Sequence, residues 1–578
     1  MVVVHPAVSD SSFAGCYGNI TFGHPEKQTL MKRIPLLVLL SAFTALNAVG
    51  QCNEPSQRKV LLVGDSWAFF MGVDQTINTV LDRWGHSNYT YFTNLTLAEN
   101  GAETDDFQTA EKQNEIAAQL TANPSIEVVH LSIGGNDVLG DWNIDFTQAQ
   151  TDSLKDAVFA RLVDVIEFIK SARPDIQILW SGYMYPNFGE VIASAAPLSS
   201  SHPFYGTWEG MGFPAFLQIN QILNDFSDQI ETYVNSDPQL HFVKAPGLMQ
   251  YTFGQNSPLL IAPGGTYPPL TQPLPYGDPS YPSPRNSMRD YLLTKDCFHL
   301  SAGGYRDMIS YHTQKFYHKF LMNDQFFLSE GGSRDGSVTA SGTVSTSLKM
   351  GTLNGESFST VLSFNTSGMD QSLVEAAQIF LRRESLEGTN PISGTMQLKV
   401  VNGFFGTTVD VEAEDLTSTA DASGIPCRFG SNGGDGHWIK LRVPDELLPF
   451  ITTDGTTQFI LSAPDATGGV VTFTGAADPD FAPVLDVTFG LTTNTPAEEQ
   501  VHTPAAPSLY PNPTNGLLTI ETDGVPVLEV QVIDLSGRVQ VRNNDRQYRV
   551  DLSGLPAGTY LVKLTTDRGV TTHRVVKW

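Results

Sequence analysis

Two hydrophobic rhythms divide the chain. From Arg58 to about Leu328, short apolar runs alternate with stretches in which apolar residues recur every three or four positions. Lys59 to Val63 (KVLLV) and Ile126 to Ile133 (IEVVHLSI) are nearly continuous in apolarity, which predicts strands buried on both faces of a parallel sheet. Leu154, Val158, Leu162, Val165, Ile166 and Ile169 mark one face of a helix that Pro174 stops, and Ile176 to Trp180 is the next strand. Phe216 to Val234 again has helical spacing, and His241 to Val243 reads as a short strand. Strands alternating with helices predict an α/β domain.

After Gly331 the helical spacing fades. From Ser337 to Phe489 short strands alternate with turn clusters such as Asn432 to Gly436, the pattern of an all-β sandwich. Asn494 to Ala506 is a polar, proline-containing linker, and Pro507 to Trp578 is strand and turn again, a second small β-sandwich. The expected architecture is therefore multidomain, an α/β domain at 58–328 followed by β-domains at 337–489 and 507–578. Within the first domain, Ala245 to Arg285 is dense in proline and breaks the pattern. A loop of that length inside a compact domain is usually functional. Tyr267, Tyr276 and Tyr281 either line a substrate wall there or anchor the loop to the body.

One long apolar run lies outside these blocks, Ile34 to Gly50, behind Lys32 and Arg33 and ending in Ala48-Val49-Gly50. A basic start, a short apolar core and small residues at its end predict a secretory signal peptide at 31–50, not a membrane anchor in the mature chain. Because such signals begin at the initiator, Met31 is the expected start and 1–30 a mis-read extension. Gln51 before Cys52 argues against lipidation at that cysteine.

The 578 residues carry 34 Lys+Arg against 61 Asp+Glu, a formal charge of −27. The signal region holds few of these charges, so the acidity belongs to the mature protein. Such a surface repels phosphate backbones and argues against nucleic-acid binding. Apolar residues at 41% exclude wholesale disorder, and four cysteines exclude a disulfide scaffold. After export Cys52, Cys297 and Cys427 remain, enough for one internal bridge, and Cys297 reads as a small buried filler. No HExxH or EF-hand spacing occurs, so neither catalytic metal nor cofactor is expected.

The chemistry concentrates in three short segments. Gly64-Asp65-Ser66 follows the first strand, Gly134-Gly135-Asn136-Asp137 follows the Ile126–Ile133 strand, and Asp296-Cys297-Phe298-His299 precedes a last helix. Ligands of open parallel sheets bind beyond the carboxyl ends of the strands, where the first two segments fall. A serine hydroxyl needs a base to attack near neutral pH, a neutral imidazole supplies one, and a carboxylate fixes its tautomer. Asp65 and Asp137 read as turn-shaping residues, His130 as a core histidine, and His86 and His202 as loop residues without a special role.

In this order the segments resemble the SGNH/GDSL hydrolases, esterases and acylhydrolases with a flavodoxin-like three-layer α/β fold. The resemblance implies Ser66 as nucleophile, His299 as base and Asp296 as the orienting acid. It implies an oxyanion hole of the Ser66 and Gly101 backbone N–H groups and the Asn136 amide, with Gly101 taken from Asn100-Gly101-Ala102 after a strand-like Tyr89 to Leu97. Phe70 departs from the glycine many members have four residues after the serine. The substrate so implied is a carboxylic ester. The β-domain and the tyrosine loop favour an acetylated polysaccharide over a lipid or short-chain ester, and a non-catalytic surface carbohydrate-binding protein is the rival reading.

The segments Tyr510-Pro511-Asn512-Pro513, Val532 to Arg538 and Asp551 to Tyr560 closely resemble the type A sorting domain of the type IX secretion system. This implies a bacterial protein that engages that machinery and ends secreted or on the cell surface. Gln378 to Arg382 and Pro483 to Phe489 resemble DNRLRE-type β-sandwich domains, in which Trp438 or Phe404-Phe405 could offer a sugar platform.

Overall fold

The computed structural model describes Cys52 and residues 54–490 apart from 371–372 and 431–432. It also describes 508–578 apart from 511, 513, 522–526, 535–537, 544–548 and 567–568. The expected extension at 1–30, the expected export signal at 31–50 and the expected linker at 494–506 lie outside these residues. The chain divides into two compact units, one ending at Gly490 and one beginning at Leu491.

In the first unit, β1 (Gln57–Gly64), β2 (Tyr89–Phe92), β3 (Val128–Ser132), β4 (Gln177–Trp180) and β5 (Leu240–Phe242) form a parallel sheet in the order β2-β1-β3-β4-β5. Val60 to Val63 and most of β3 are fully buried, because helices cover both faces of the sheet. One layer holds α1 (Ser66–Val73) and α2 (Thr76–Arg83). The other holds α3 (Ala110–Ala122), and α4 (Gly135–Asp141) leads into the 25-residue α5 (Gln148–Ala172) on the same side. Val158, Leu162, Val165, Ile166 and Ile169 of α5 are all fully buried, as their spacing predicts. Further on come α6 (Phe188–Ala193), α7 (Tyr205–Gly210), α8 (Phe216–Val234) and α9 (Leu248–Phe253). An antiparallel hairpin, β6 (Met288–Tyr291) and β7 (Thr294–Leu300), precedes α10 (Ala302–His312).

The strand order reverses between β1 and β3, and the crevice at such a switch point is where doubly wound sheets bind ligands. Ser66 leaves the end of β1 and Asn136 follows the end of β3, so the topology brings these two segments together.

From Gln325 to Gly490 the unit is mainly β-sheet around its own apolar core. The 15-residue strand Val374–Gly388 pairs early with Trp438–Arg442 and Val484–Phe489. After a register shift between Arg383 and Ser385 it pairs with Gly469–Phe473. The strand Gln325–Leu328, read in sequence as the end of the α/β domain, pairs instead with Val484–Phe489 and so belongs to the β-region. A disulfide joins Cys52 to Cys427 across 375 residues of chain, and the two regions share apolar contacts in which Trp84 stacks on Trp438 at 5.7 Å. Of the aromatics read as a sugar platform, Trp438 and Phe405 are 3% and 1% exposed and lie in the core, whereas Phe404 is 44% exposed.

The second unit is described by itself. It contains a three-stranded sheet and a four-stranded sheet, with Leu518, Ile520, Val530, Val532, Val562 and Leu564 in its core.

Candidate active site

β1 ends in Gly64 because nothing larger fits: a Cβ there would stand 1.8 Å from the Ser132 carbonyl oxygen of β3. Asp65 then caps α1, its Oδ1 accepting the Trp67 N–H at 2.9 Å. Ser66 is thereby the first residue of α1, at the carboxyl edge of the sheet and 4% exposed.

His299 lies against it. Its Nε2 is 2.7 Å from Ser66 Oγ and its Nδ1 is 2.8 Å from Asp296 Oδ2. The other carboxylate oxygen of Asp296 accepts the backbone N–H groups of Phe298 and His299, both at 2.7 Å. Those bonds turn the chain so that a carboxylate three residues upstream reaches back to the imidazole. With Asp296 accepting from Nδ1–H, Nε2 presents its lone pair to the Ser66 hydroxyl, an arrangement that can take up a proton.

The residues beside this chain hold it in register. Trp67, next to Ser66, is fully buried and packs on Tyr183, Phe298 and Tyr305 with ring centroids 4.9, 5.7 and 5.4 Å away. Phe298 is the neighbour of His299, so a single aromatic cluster fixes α1 against β7. Tyr183 also donates its hydroxyl to Asp65 Oδ2 at 2.6 Å. Burial pushes the Asp65 carboxyl up to about 7, against the lowering effect of the bonds from Tyr183 and Trp67. Phe70 packs edge-on against His299 at 4.9 Å. Arg289 covers the Phe70 ring at 4.1 Å and pairs with Asp74, so Phe70 forms a wall beside His299.

Asn136 stands in the first turn of α4, after Gly134 and Gly135. Gly135 must lack a side chain, since a Cβ would meet the Tyr183 and Phe298 rings at 2.8 and 2.9 Å. The Asn136 amide donates to Ala102 O at 2.9 Å, which brings it to the Asn100-Gly101-Ala102 turn. Gly101 has φ +81° and open space around it. Asp137 points elsewhere. Fully buried, it accepts the Thr104 N–H, the Thr104 hydroxyl at 2.5 Å and Arg161 Nη2 at 2.8 Å, tying the Gly101 loop to α4 and α5. The structure thus gathers Ser66, Asp296 and His299 in one hydrogen-bonded chain, and ties the Asn136 amide of α4 to Ala102, the residue after Gly101.

Tyr267, Tyr276 and Tyr281 anchor their loop. Tyr267 is buried with its ring 5.2 Å from that of Tyr281, Tyr281 donates to Gly264 O at 2.8 Å, and Tyr276 donates to Asp228 of α8. Of the two readings of these tyrosines, substrate wall or loop anchor, these contacts are those of the anchor. Two histidines read as loop residues do lie outside helices and strands, and each is tied to the body of the domain. His86 is buried and bonded to His318 at 3.1 Å, and His202 bonds Lys295 O at 3.0 Å, holding the segment before α7 to β7. His130 is a core residue bonded to the Tyr317 hydroxyl at 2.9 Å. Cys297 is buried and free, and burial pushes its thiol well up, which makes it a poor nucleophile. Tyr183, Thr104 and Arg161 were not singled out in the sequence. Of these only Tyr183, three residues past the end of the Ile176–Trp180 strand, stood in a position that signals a site.

Residues 508–578 match the family model described as a secretion system C-terminal sorting domain. The chain therefore carries a type IX sorting domain and is a cell-surface or secreted protein. No helix among the described residues is long and apolar enough to cross a membrane. Solved structures similar to the chain include a family 3 carbohydrate esterase from Clostridium thermocellum, 16% identical over 46% of this chain and 99% of that one, with TM-score 0.25. Another is a GDSL-like lipase from Bacteroides thetaiotaomicron, 15% identical over 47% of this chain and 94% of that one, with TM-score 0.26. No curated protein matches the sequence.

Proposed function

We propose that this secreted protein is a serine hydrolase of carboxylic esters acting through an acyl-enzyme. The observation that carries the reading is the unbroken chain from Ser66 Oγ through His299 to Asp296, laid at the switch point of the sheet. In the first half-reaction His299 Nε2 takes the Ser66 proton as Oγ attacks the ester carbonyl carbon. Asp296 holds Nδ1–H and stabilises the imidazolium. The tetrahedral oxyanion meets the Ser66 and Gly101 N–H groups and the Asn136 amide. One Nδ2 hydrogen of Asn136 is engaged by Ala102 O, which orients the amide and leaves the second for the oxyanion. Collapse expels the alcohol, protonated by His299. Water then enters by the same route, giving its proton to His299 as it attacks the acyl carbon, and Ser66 is released with the acid.

The tyrosines of the loop, Trp438 and Phe405, which favoured a polysaccharide substrate in the sequence, serve packing, so the reading is made at the level of the carboxylic ester. Ser66→Ala should lower p-nitrophenyl ester turnover by at least about 10³-fold with the fold intact by circular dichroism. Unchanged turnover would refute the reading.

A further inference from the structure

The proline-dense loop from Ala245 to Arg285 is anchored by its tyrosines, and it walls a cavity of about 710 Å³, within the size range of small-molecule sites. Most of the lining comes from 254–261 and 284–286, with Glu190 of α6 and Lys295 of β7. None of Ser66, Gly101, Asn136, Asp296 and His299 lines it, so it is a second cavity and not the reacting centre.

The loop is folded so as to hold Gln255 in this cavity. Gly254 turns at φ +61°, where a Cβ would stand 2.5 Å from Pro269 N. Gln255 then exchanges both backbone hydrogen bonds with the buried Tyr267, at 2.9 and 3.2 Å. Its side chain is 3% exposed, and Nε2 donates to Glu190 Oε1 at 3.1 Å and to Ser257 O at 2.9 Å. Its Oε1 is buried and has no partner in the protein. A buried amide oxygen is costly to leave unpaired, so its donor comes from whatever fills the cavity. Glu190 is also an open acceptor. Asn187 and Gln255 each donate to one of its oxygens, and no cation among the described residues pairs with it.

The outer wall offers the converse. Arg285 and Asn286 are exposed, and neither side chain makes a hydrogen bond or ion pair with the described residues. Pro258, Leu260 and Ile261 supply apolar surface, with Leu260 84% exposed. An alkyl chain in this cavity would leave both sets of polar groups unanswered. A phosphate or carboxylate would face the unpaired Glu190, in a chain with a formal charge of −27. An ammonium group suits Glu190 and leaves Arg285 and Asn286 without acceptors. Sugar hydroxyls each donate and accept, and the C–H face of the ring packs on proline and leucine.

We infer that this cavity is a binding site for a neutral oligosaccharide, whose hydroxyls donate to Glu190 and Gln255 Oε1 and accept from Arg285 and Asn286. The inference goes beyond the esterase reading and does not depend on it, because the ligand carries no ester and meets none of the reacting atoms. In a cell-surface or secreted chain such a site serves attachment to polysaccharide and not turnover.

The test is isothermal titration calorimetry of the full mature protein with cellohexaose, xylohexaose, mannohexaose, maltohexaose and laminarihexaose. At least one should bind at a single site per chain. Arg285→Ala and Asn286→Ala, which remove side chains bonded to nothing in the protein, should each weaken that binding by about five- to ten-fold, and Glu190→Gln by about ten-fold. Protein labelled by a fluorophosphonate should bind as well as untreated protein. Absence of binding by all five sugars overturns the inference, and ester turnover by the same preparation leaves the esterase reading standing. Binding that Arg285→Ala, Asn286→Ala and Glu190→Gln all leave intact, or that labelling abolishes, puts the sugar elsewhere and overturns it too. Binding of a chitosan or polygalacturonate hexamer alone would give the cavity to a charged ligand, against the inference. Sugar binding with the expected losses, in a protein that turns over no ester, would uphold this site while the esterase reading falls.

Discussion

Replacing Asp137 or Asn136, neighbours in sequence, should produce two different kinds of damage. The Asp137 carboxylate is fully buried and satisfies the Thr104 N–H, the Thr104 hydroxyl and Arg161. Removing one partner of a buried ion pair costs about 3–5 kcal/mol. The Arg161 side chain is 29% exposed and can partly rehydrate, which places Asp137→Ala near the lower end, about 3 kcal/mol. Thr104 lies three residues past Gly101, so the loosened loop misplaces a backbone donor, and activity should fall by about 10- to 100-fold as a consequence. Asn136→Ala removes a single hydrogen bond to Ala102, about 1 kcal/mol of stability. Under the proposed mechanism it also removes a donor that meets charge present chiefly in the transition state, so kcat should fall by about 10²–10³ with a smaller change in KM. Urea unfolding followed by tryptophan fluorescence, with ester kinetics on the same preparations, separates the two. A double-mutant cycle of Asp137→Asn with Arg161→Gln should give a coupling of at least about 1 kcal/mol. If Asp137→Ala keeps wild-type stability and loses as much kcat as Asn136→Ala, Asp137 acts on the reacting atoms and the division of roles is wrong.

Other outcomes follow from single features. Asp65 is raised from 3.8 to about 7, so between those values the folded state holds a proton that the unfolded state has lost; stability therefore falls as pH rises from about 4 to 7 and then levels. Asp65→Asn keeps the shape and should remove that slope from ΔG measured against pH; an unaltered slope would mean Asp65 is ionised in the fold. Reduction of the Cys52–Cys427 bridge should lower the urea midpoint by the equivalent of about 3–5 kcal/mol, and Cys52→Ser should be insensitive to reductant. Deleting 508–578 should leave an active esterase in the periplasm, measured by cell fractionation, whereas arrival at the surface or in the medium would show that the sorting domain is dispensable.

How far the sequence foretells the molecule depends on whether a feature is local. The apolar runs of β1, β3 and β4 and the spacing in α5 and α8 are dictated by burial against the sheet, and they lie where the pattern puts them. The Asp296–His299 pair was also legible, because its geometry is made by bonds within three residues. Features made by distant partners were not. The expected strand from Tyr89 to Leu97 stops at Phe92, since the Asn94 side chain captures the N–H groups of Thr96 and Leu97 and bends the chain. Gln325–Leu328 looks like the end of the α/β block until its partner strand arrives from Val484–Phe489. His86, read as a loop residue, is buried by packing against His318 and Phe380, far away in the chain. The Cys52–Cys427 pairing is of the same kind: three cysteines allow a bridge, and only the fold selects it.

The central claim is that Ser66 is a nucleophile activated by His299. A fluorophosphonate probe, followed by intact-mass analysis and peptide mapping of the full mature protein, tests it most directly. The account predicts one adduct per chain, on the peptide containing Ser66, lost in Ser66→Ala and slowed by at least about 10²-fold in His299→Ala. Labelling at another residue, or equal labelling of wild type and Ser66→Ala, would contradict it.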